Sequence, residues 1–165
     1  DFLSVGIEFE LAVRIAQDMT SIQGPWNREN ILPFIDQVYP AFELVLDRNA
    51  DYQNLDILSV VADNAWSGGA VLGSECSEWQ HLDFDRRPVE KIINGKKETS
   101  VTGQALENPL YSLVWLANFL NQSGSLIRAG QILMTGSTFA THSAEKGDVI
   151  EYSIDQVGMV KIVIV

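Results

Sequence analysis

At 165 residues the chain is long enough to bury one core without disulfides or structural metals, so a single domain over 1–165 is expected. Apolar residues make up 46% and charged residues 20%, the profile of a globular chain rather than a disordered one. A formal charge of −11, with 22 acids against 11 Lys and Arg, argues against a nucleic-acid partner, which requires a basic surface.

No apolar run approaches the ~18 residues of a membrane-spanning helix, and the first residues lack a basic-then-apolar leader pattern, so no membrane is expected and a cytoplasmic location is the default. The lone Cys76 has no internal disulfide partner.

Residues 5–15 alternate without interruption: Val5, Ile7, Phe9, Leu11, Val13 and Ile15 on one face, and Gly6, Glu8, Glu10, Ala12 and Arg14 on the other. This pattern predicts a strand. A Gly-Pro-Trp-Asn loop follows at 24–27, and a short helix is expected over 29–38 with Pro33 near its first turn. Residues 41–47 read as a second strand, with Phe42, Leu44 and Leu46 opposite Glu43, Val45 and Asp47. Residues 56–62 are helical or irregular, and the run 68–73 suggests a turn leading into a buried strand.

Two β-capable runs over 89–102 flank Asn94-Gly95, the dipeptide suited to a type I′ hairpin turn. Asn108 stands as a helix N-cap with Pro109 at the first helical position. Leu110, Leu113, Val114, Ala117 and Leu120 then repeat at helical spacing until the chain nears Gly124. Strands over 131–135, 148–154 and 159–165 close the chain. The expected architecture is a β-rich α+β domain whose mixed sheets curl around one core.

Alternation puts Glu8 and Glu10 on the same face of one strand, about 6 to 7 Å apart along the backbone, close enough for their carboxylates to share an ion. Glu43 lies on the polar face of the second predicted strand, and a third carboxylate there would leave positions of an octahedral Mg²⁺ or Mn²⁺ open to water and substrate. An isolated Glu-x-Glu is more commonly the solvated face of an edge strand, so the pair alone decides nothing. His81 and His142 have no Asp or second His at ligand or triad spacing and are expected to be ordinary loop histidines. The four tryptophans are expected in the core or in pocket walls, since no basic clusters accompany them.

The order of the surrounding blocks adds more. The blocks are Gly6-Ile7-Glu8-Phe9-Glu10-Leu11-Ala12, Pro40-Ala41-Phe42-Glu43-Leu44-Val45, and the run from Val61 to Gly73. Asn108-Pro109-Leu110 with Val114-Trp115-Leu116-Ala117-Asn118, the run from Ala129 to Ser137, and Lys146-Gly147-Asp148-Val149 follow. In this order they resemble the 2-keto-4-pentenoate hydratase and 2-oxo-acid decarboxylase group of the fumarylacetoacetate hydrolase superfamily.

The resemblance implies that Glu8, Glu10 and Glu43 hold one divalent cation, Mg²⁺ or Mn²⁺. It implies a lyase that hydrates or decarboxylates a short unsaturated 2-oxo or 2-hydroxy acid through a metal-stabilised enolate, as in aromatic catabolism. An acylpyruvate carbon–carbon hydrolase and a catalytically silent metal- or ligand-binding domain are the alternatives. Ser67 and Asp47 are the candidate catalytic residues: Ser67 falls where many hydratases have a small polar residue, or is a turn serine before Gly68-Gly69. Asp47 is a fourth acid near the metal or a partner of Arg48. Ser137 is the candidate substrate-binding residue, through its hydroxyl and nearby backbone N–H groups, or a strand-end turn.

The group usually has an aspartate three residues after the strand glutamate, whereas Leu46 stands there and Asp47 follows. The resemblance also implies an N-terminal segment carrying a catalytic lysine. This chain is expected to lack it, its first lysine being Lys91. A small-molecule 2-oxo acid and further copies of the chain are the implied partners.

Overall fold

The structure, a computed structural model, describes residues 4–165. The alternating segment forms β1 (Gly6–Ile15), in which Ile7, Phe9, Leu11, Val13 and Ile15 are all buried. Its opposite face is mixed: Ala12 packs with Tyr39 and Ala41, whereas Glu8 and Arg14 are partly exposed.

The helix expected over 29–38 is much shorter. Asn27 caps a single turn, α1 (Arg28–Ile31), by accepting from the Glu29 and Asn30 N–H groups. A 3₁₀ turn over Leu32–Phe34 follows, with Pro33 inside it, and the chain is extended from Ile35. The second strand, β2 (Ile35–Val45), therefore begins six residues before the predicted start at 41. Pro33 has no N–H to continue a helix, and Ile35 and Val38 are β-branched and face the core.

α2 (Ile57–Ala62), capped by Asp56, leads into β3 (Ser67–Leu72). β3 was expected to be buried, and it is not: only Val71 is even partly covered. Its place at the rim of the sheet, hydrogen-bonded to β2 alone, explains this. Gly73 follows in close contact with the strand near the C-terminus, and a Cβ there would fall on the Met159 carbonyl oxygen.

The hairpin forms as expected from β4 (Pro88–Ile93) and β5 (Lys96–Val101), with Asn94 and Gly95 at φ of 50° and 81° as a type I′ turn requires. α3 (Leu110–Gln122) begins one residue after Pro109, and the Asn108 side chain accepts from the Leu110 N–H at 2.8 Å. β6 (Ile132–Ser137), the short β7 (His142–Ser143), β8 (Val149–Ile154) and β9 (Gly158–Val163) complete the chain.

One sheet runs β3-β2-β1-β6, with β7 also pairing to β1, and the other runs β5-β4-β8-β9. The fold is thus β-rich α+β with two antiparallel sheets. The core lies between them: the Phe9 ring meets Phe42, Phe139 and Tyr152 edge-on at 5.6, 5.8 and 5.7 Å. Burying one such ring stabilises by roughly 1.5–3 kcal/mol. No described helix is long and apolar enough to cross a membrane.

Candidate metal centre

The β1–β2 ladder sets Glu8 directly opposite Glu43. Two carboxylates in facing positions repel, so something must offset that pairing. Glu10 is two residues along the same face and only 2% exposed. One oxygen from each of Glu8, Glu10 and Glu43 lies within 4.8 Å of the others. Ligands ~2.1 Å from a common octahedral ion stand ~3 Å apart when adjacent and ~4.2 Å when opposite, so this spacing needs only small side-chain adjustments.

The electrostatics agree with the geometry. Burial is the largest influence on Glu10 and pushes its carboxyl up to about 7; the Gly136 N–H opposes the rise, and the charges of Glu43 and Glu8 add to it. Glu43 is likewise held above its ordinary value, first by burial and then by Glu8, while Glu10 and the Ser67 hydroxyl pull it back. No described Lys or Arg is among the main influences on either group. A cluster of negative, partly dehydrated oxygens without a protein cation is a donor set that fits a hard divalent ion.

Ser67, exposed and opposite Val45 at the start of β3, is brought to this cluster through its influence on Glu43. Ser137 stands opposite Glu10, but its hydroxyl accepts from the Phe9 N–H at 2.9 Å and donates to the Phe139 carbonyl at 2.8 Å. Asp47 lies beyond the end of β2 and outside the three-carboxylate group. Its carboxylate accepts from the Tyr52 hydroxyl at 2.8 Å, the Asn49 N–H and the Ser4 hydroxyl, and Arg48 pairs with Asp63 instead.

Two donors escaped the sequence analysis. The Gly136 N–H donates to Glu10 Oε2 at 2.6 Å, and the Thr141 hydroxyl to Glu8 Oε1 at 2.7 Å. Neither position has a local signal, since each acts through a strand pairing more than 120 residues away in sequence. His142 also departs from expectation: its Nε2 lies 2.9 Å from Asp148 Oδ2. The Glu145 N–H, His142 and Asn94 together hold Asp148 down to about 2.

A cavity of about 590 Å³ lies between Arg28, Asp85, Arg86 and the 101–111 segment and includes none of the three glutamates. Its loop also carries Leu106, whose side chain lies over Gly136.

Comparison with known proteins places this geometry in a family. The fumarylacetoacetate (FAA) hydrolase C-terminal family matches residues 3–165. The chain is 34% identical over 156 residues to a 2-keto-4-pentenoate hydratase of Paraburkholderia xenovorans, covering 94% of this chain and 57% of that protein. It is 32% identical over 132 residues to a 4-oxalocrotonate decarboxylase of Pseudomonas putida, covering 79% of this chain and 50% of the relative. The structure of 4-oxalocrotonate decarboxylase from Pseudomonas putida G7, complexed with magnesium and adipate, superposes with a TM-score of 0.87 at 28% identity, covering 99% of this chain and 62% of that one. The chain therefore spans about half the length of the curated relatives it matches, and it belongs to the fumarylacetoacetate hydrolase family.

Proposed function

We propose that this chain is the metal-holding part of a divalent-metal-dependent lyase that hydrates or decarboxylates a short unsaturated 2-oxo acid. The observation that carries the proposal is the group of three glutamate oxygens within 4.8 Å of one another. The activities named for the relatives supply the reaction class, and the magnesium in the solved decarboxylase supports Mg²⁺, with Mn²⁺ as the close substitute.

In this proposal Glu8, Glu10 and Glu43 hold the ion, which when bound supplies Lewis acidity to a substrate chelating through its carboxylate and 2-oxo oxygens. Ser67 offers an exposed hydroxyl beside Glu43 to a water or a substrate oxygen. Because the Ser137 hydroxyl is spent on backbone groups, its role is to fix Phe9, the residue between the two glutamates. Asp47 anchors the loop after β2 and is assigned no proton transfer.

The test is titration of the protein with Mg²⁺ and Mn²⁺ by calorimetry, then assay against 2-hydroxypenta-2,4-dienoate, oxalocrotonate and acetylpyruvate. Loss of the conjugated chromophore with either of the first two is the expected result. Turnover of acetylpyruvate alone points to the carbon–carbon hydrolase, and bound metal without turnover to a silent binding domain. No binding of either ion removes the metal centre from the proposal.

Self-association belongs to the same proposal. α3 contains no charged residue and exposes Tyr111, Trp115 and Phe119 at four-residue spacing, with the last two rings stacked at 5.3 Å. On a chain of net charge −11, such a stripe lets two copies meet without like-charge repulsion, and a two-fold through Trp115 sets Tyr111 against Phe119. Sedimentation velocity is expected to show a concentration-dependent dimer that Trp115→Lys abolishes; a wild-type chain that stays monomeric at high concentration refutes it.

A further inference from the structure

The glutamates at the centre do not hold their oxygens freely. Glu8 Oε1 accepts the Thr141 hydroxyl at 2.7 Å, and Glu10 Oε2 accepts the Gly136 N–H at 2.6 Å. Gly136 lies near the end of β6 and Thr141 in the segment joining β6 to β7, and both ends of that segment pair with β1: Ser137 opposite Glu10, and His142 opposite Ile7. Between these ends the Thr138 N–H and hydroxyl both donate to the Phe9 carbonyl, at 2.8 and 2.9 Å. Thr141 is exposed, and its methyl group sits beside Gly6, where a Cβ would come within 2.8 Å of it. The hydroxyl thus reaches one oxygen of Glu8 from a segment tied to β1 at both ends and through Thr138.

A hydrogen bond to one carboxylate oxygen restrains the group's rotation and occupies one of that oxygen's lone pairs, which leaves the other oxygen the freer one for an ion. That geometry suits Mg²⁺, which demands octahedral positions at ~2.0–2.1 Å, each filled by one oxygen. It suits Ca²⁺ less, because that ion takes 6–8 oxygens at ~2.3–2.6 Å and gains from two-oxygen clasps. We propose that Thr141 is a positioning residue that makes Glu8 a one-oxygen ligand and so biases the centre toward a small six-coordinate cation over a larger one. The inference rests on the metal-centre reading given above.

The experiment compares Mg²⁺ and Ca²⁺ affinities of the 165-residue chain and its Thr141 variants by calorimetry, with thermal unfolding as a check on folding. Groups that orient metal ligands typically change metal affinity by ~10–100-fold when removed. Thr141→Val, which keeps the methyl and deletes the donor, is expected to weaken Mg²⁺ binding by about ten-fold or more while Ca²⁺ changes by less than about three-fold. Thr141→Ser restores the donor and is expected to restore the wild-type ratio, and Thr141→Ala is a second donor-free variant should Val fail to fold.

Equal losses for both ions would mean that the residue serves the fold rather than ion choice, and an unchanged ratio in Thr141→Val would overturn the proposal while leaving the metal centre standing. A wild-type chain that binds neither ion overturns the metal centre itself, and this inference with it.

Discussion

The two sheets treat their acids in opposite ways. In the sheet β5-β4-β8-β9, facing positions carry opposite charges: Lys91 stands across from Glu98 with the charged groups 3.1 Å apart, and Glu151 across from Lys161 at 2.6 Å. In the sheet β3-β2-β1-β6, Glu8 faces Glu43, with the nearly buried Glu10 beside them. The same ladder geometry that favours the first pairs opposes the second. An acid paired with a lysine is part of the surface, whereas three acids facing one another leave a place for a cation that none of the described residues fills.

The largest effect that tests this contrast is expected from Glu10→Gln. It removes a ligand and should lower Mg²⁺ affinity by more than about 100-fold, beyond the range seen when only a supporting group is lost. In the absence of ions the same variant should be more stable than the wild type, because the buried charge and its repulsions are gone. Calorimetry and ion-free thermal melts check both halves, and an unchanged Mg²⁺ affinity would remove Glu10 from the centre.

An intermediate effect concerns pH. The Glu10 carboxyl is raised in the folded chain to about 7 from an ordinary 4.5, so the folded state holds its proton more tightly than the unfolded state does. Without metal, stability should therefore fall as pH rises from about 4.5 to about 7 and level off above, by an amount on the order of 2–3 kcal/mol. Saturating Mg²⁺ should cancel or reverse that slope, since the ion stabilises the ionised form. Melting temperatures at pH 5, 6, 7 and 8, with and without Mg²⁺, decide the matter; parallel curves would sink it.

The smallest effect belongs to the other sheet. Lys161→Ala breaks a pair whose lysine side chain is 51% exposed, so the loss should lie within ~0.2–1 kcal/mol and shrink in salt. A loss several times larger in a urea melt would show that the paired sheet is not the inert half of the comparison.

How much of this was legible in the sequence depended on range. The strand from Gly6 to Ile15 was visible because its period of two continues through ten residues, and the Asn94-Gly95 turn because its left-handed backbone demands those residue types. The placing of Glu8 and Glu10 on one face followed from the same period. That Glu43 falls opposite Glu8 did not, because pairing register is a property of two strands together.

The short α1 and early β2 were misjudged because the helical spacing of 29–38 competes with β-branched residues that the core claims. β3 looked buried from its apolar run, but an edge position exposes whatever it carries. Thr141 and Gly136 carried no signal, since a threonine in a loop and a glycine at a strand end are common and only their long-range partners distinguish them.

The residue between the two glutamates of β1 has a further implication. Phe9 is fully buried, ringed by Phe42, Phe139 and Tyr152, and capped by the Lys91 ammonium 5.2 Å from its centroid. In the proposed centre the spacing of Glu8 and Glu10 is therefore set from beneath, by a backbone that Phe9 anchors in the hydrocarbon packing below it. Exchanges among those interior rings would then be felt as altered cation affinity at the proposed centre on the outer face.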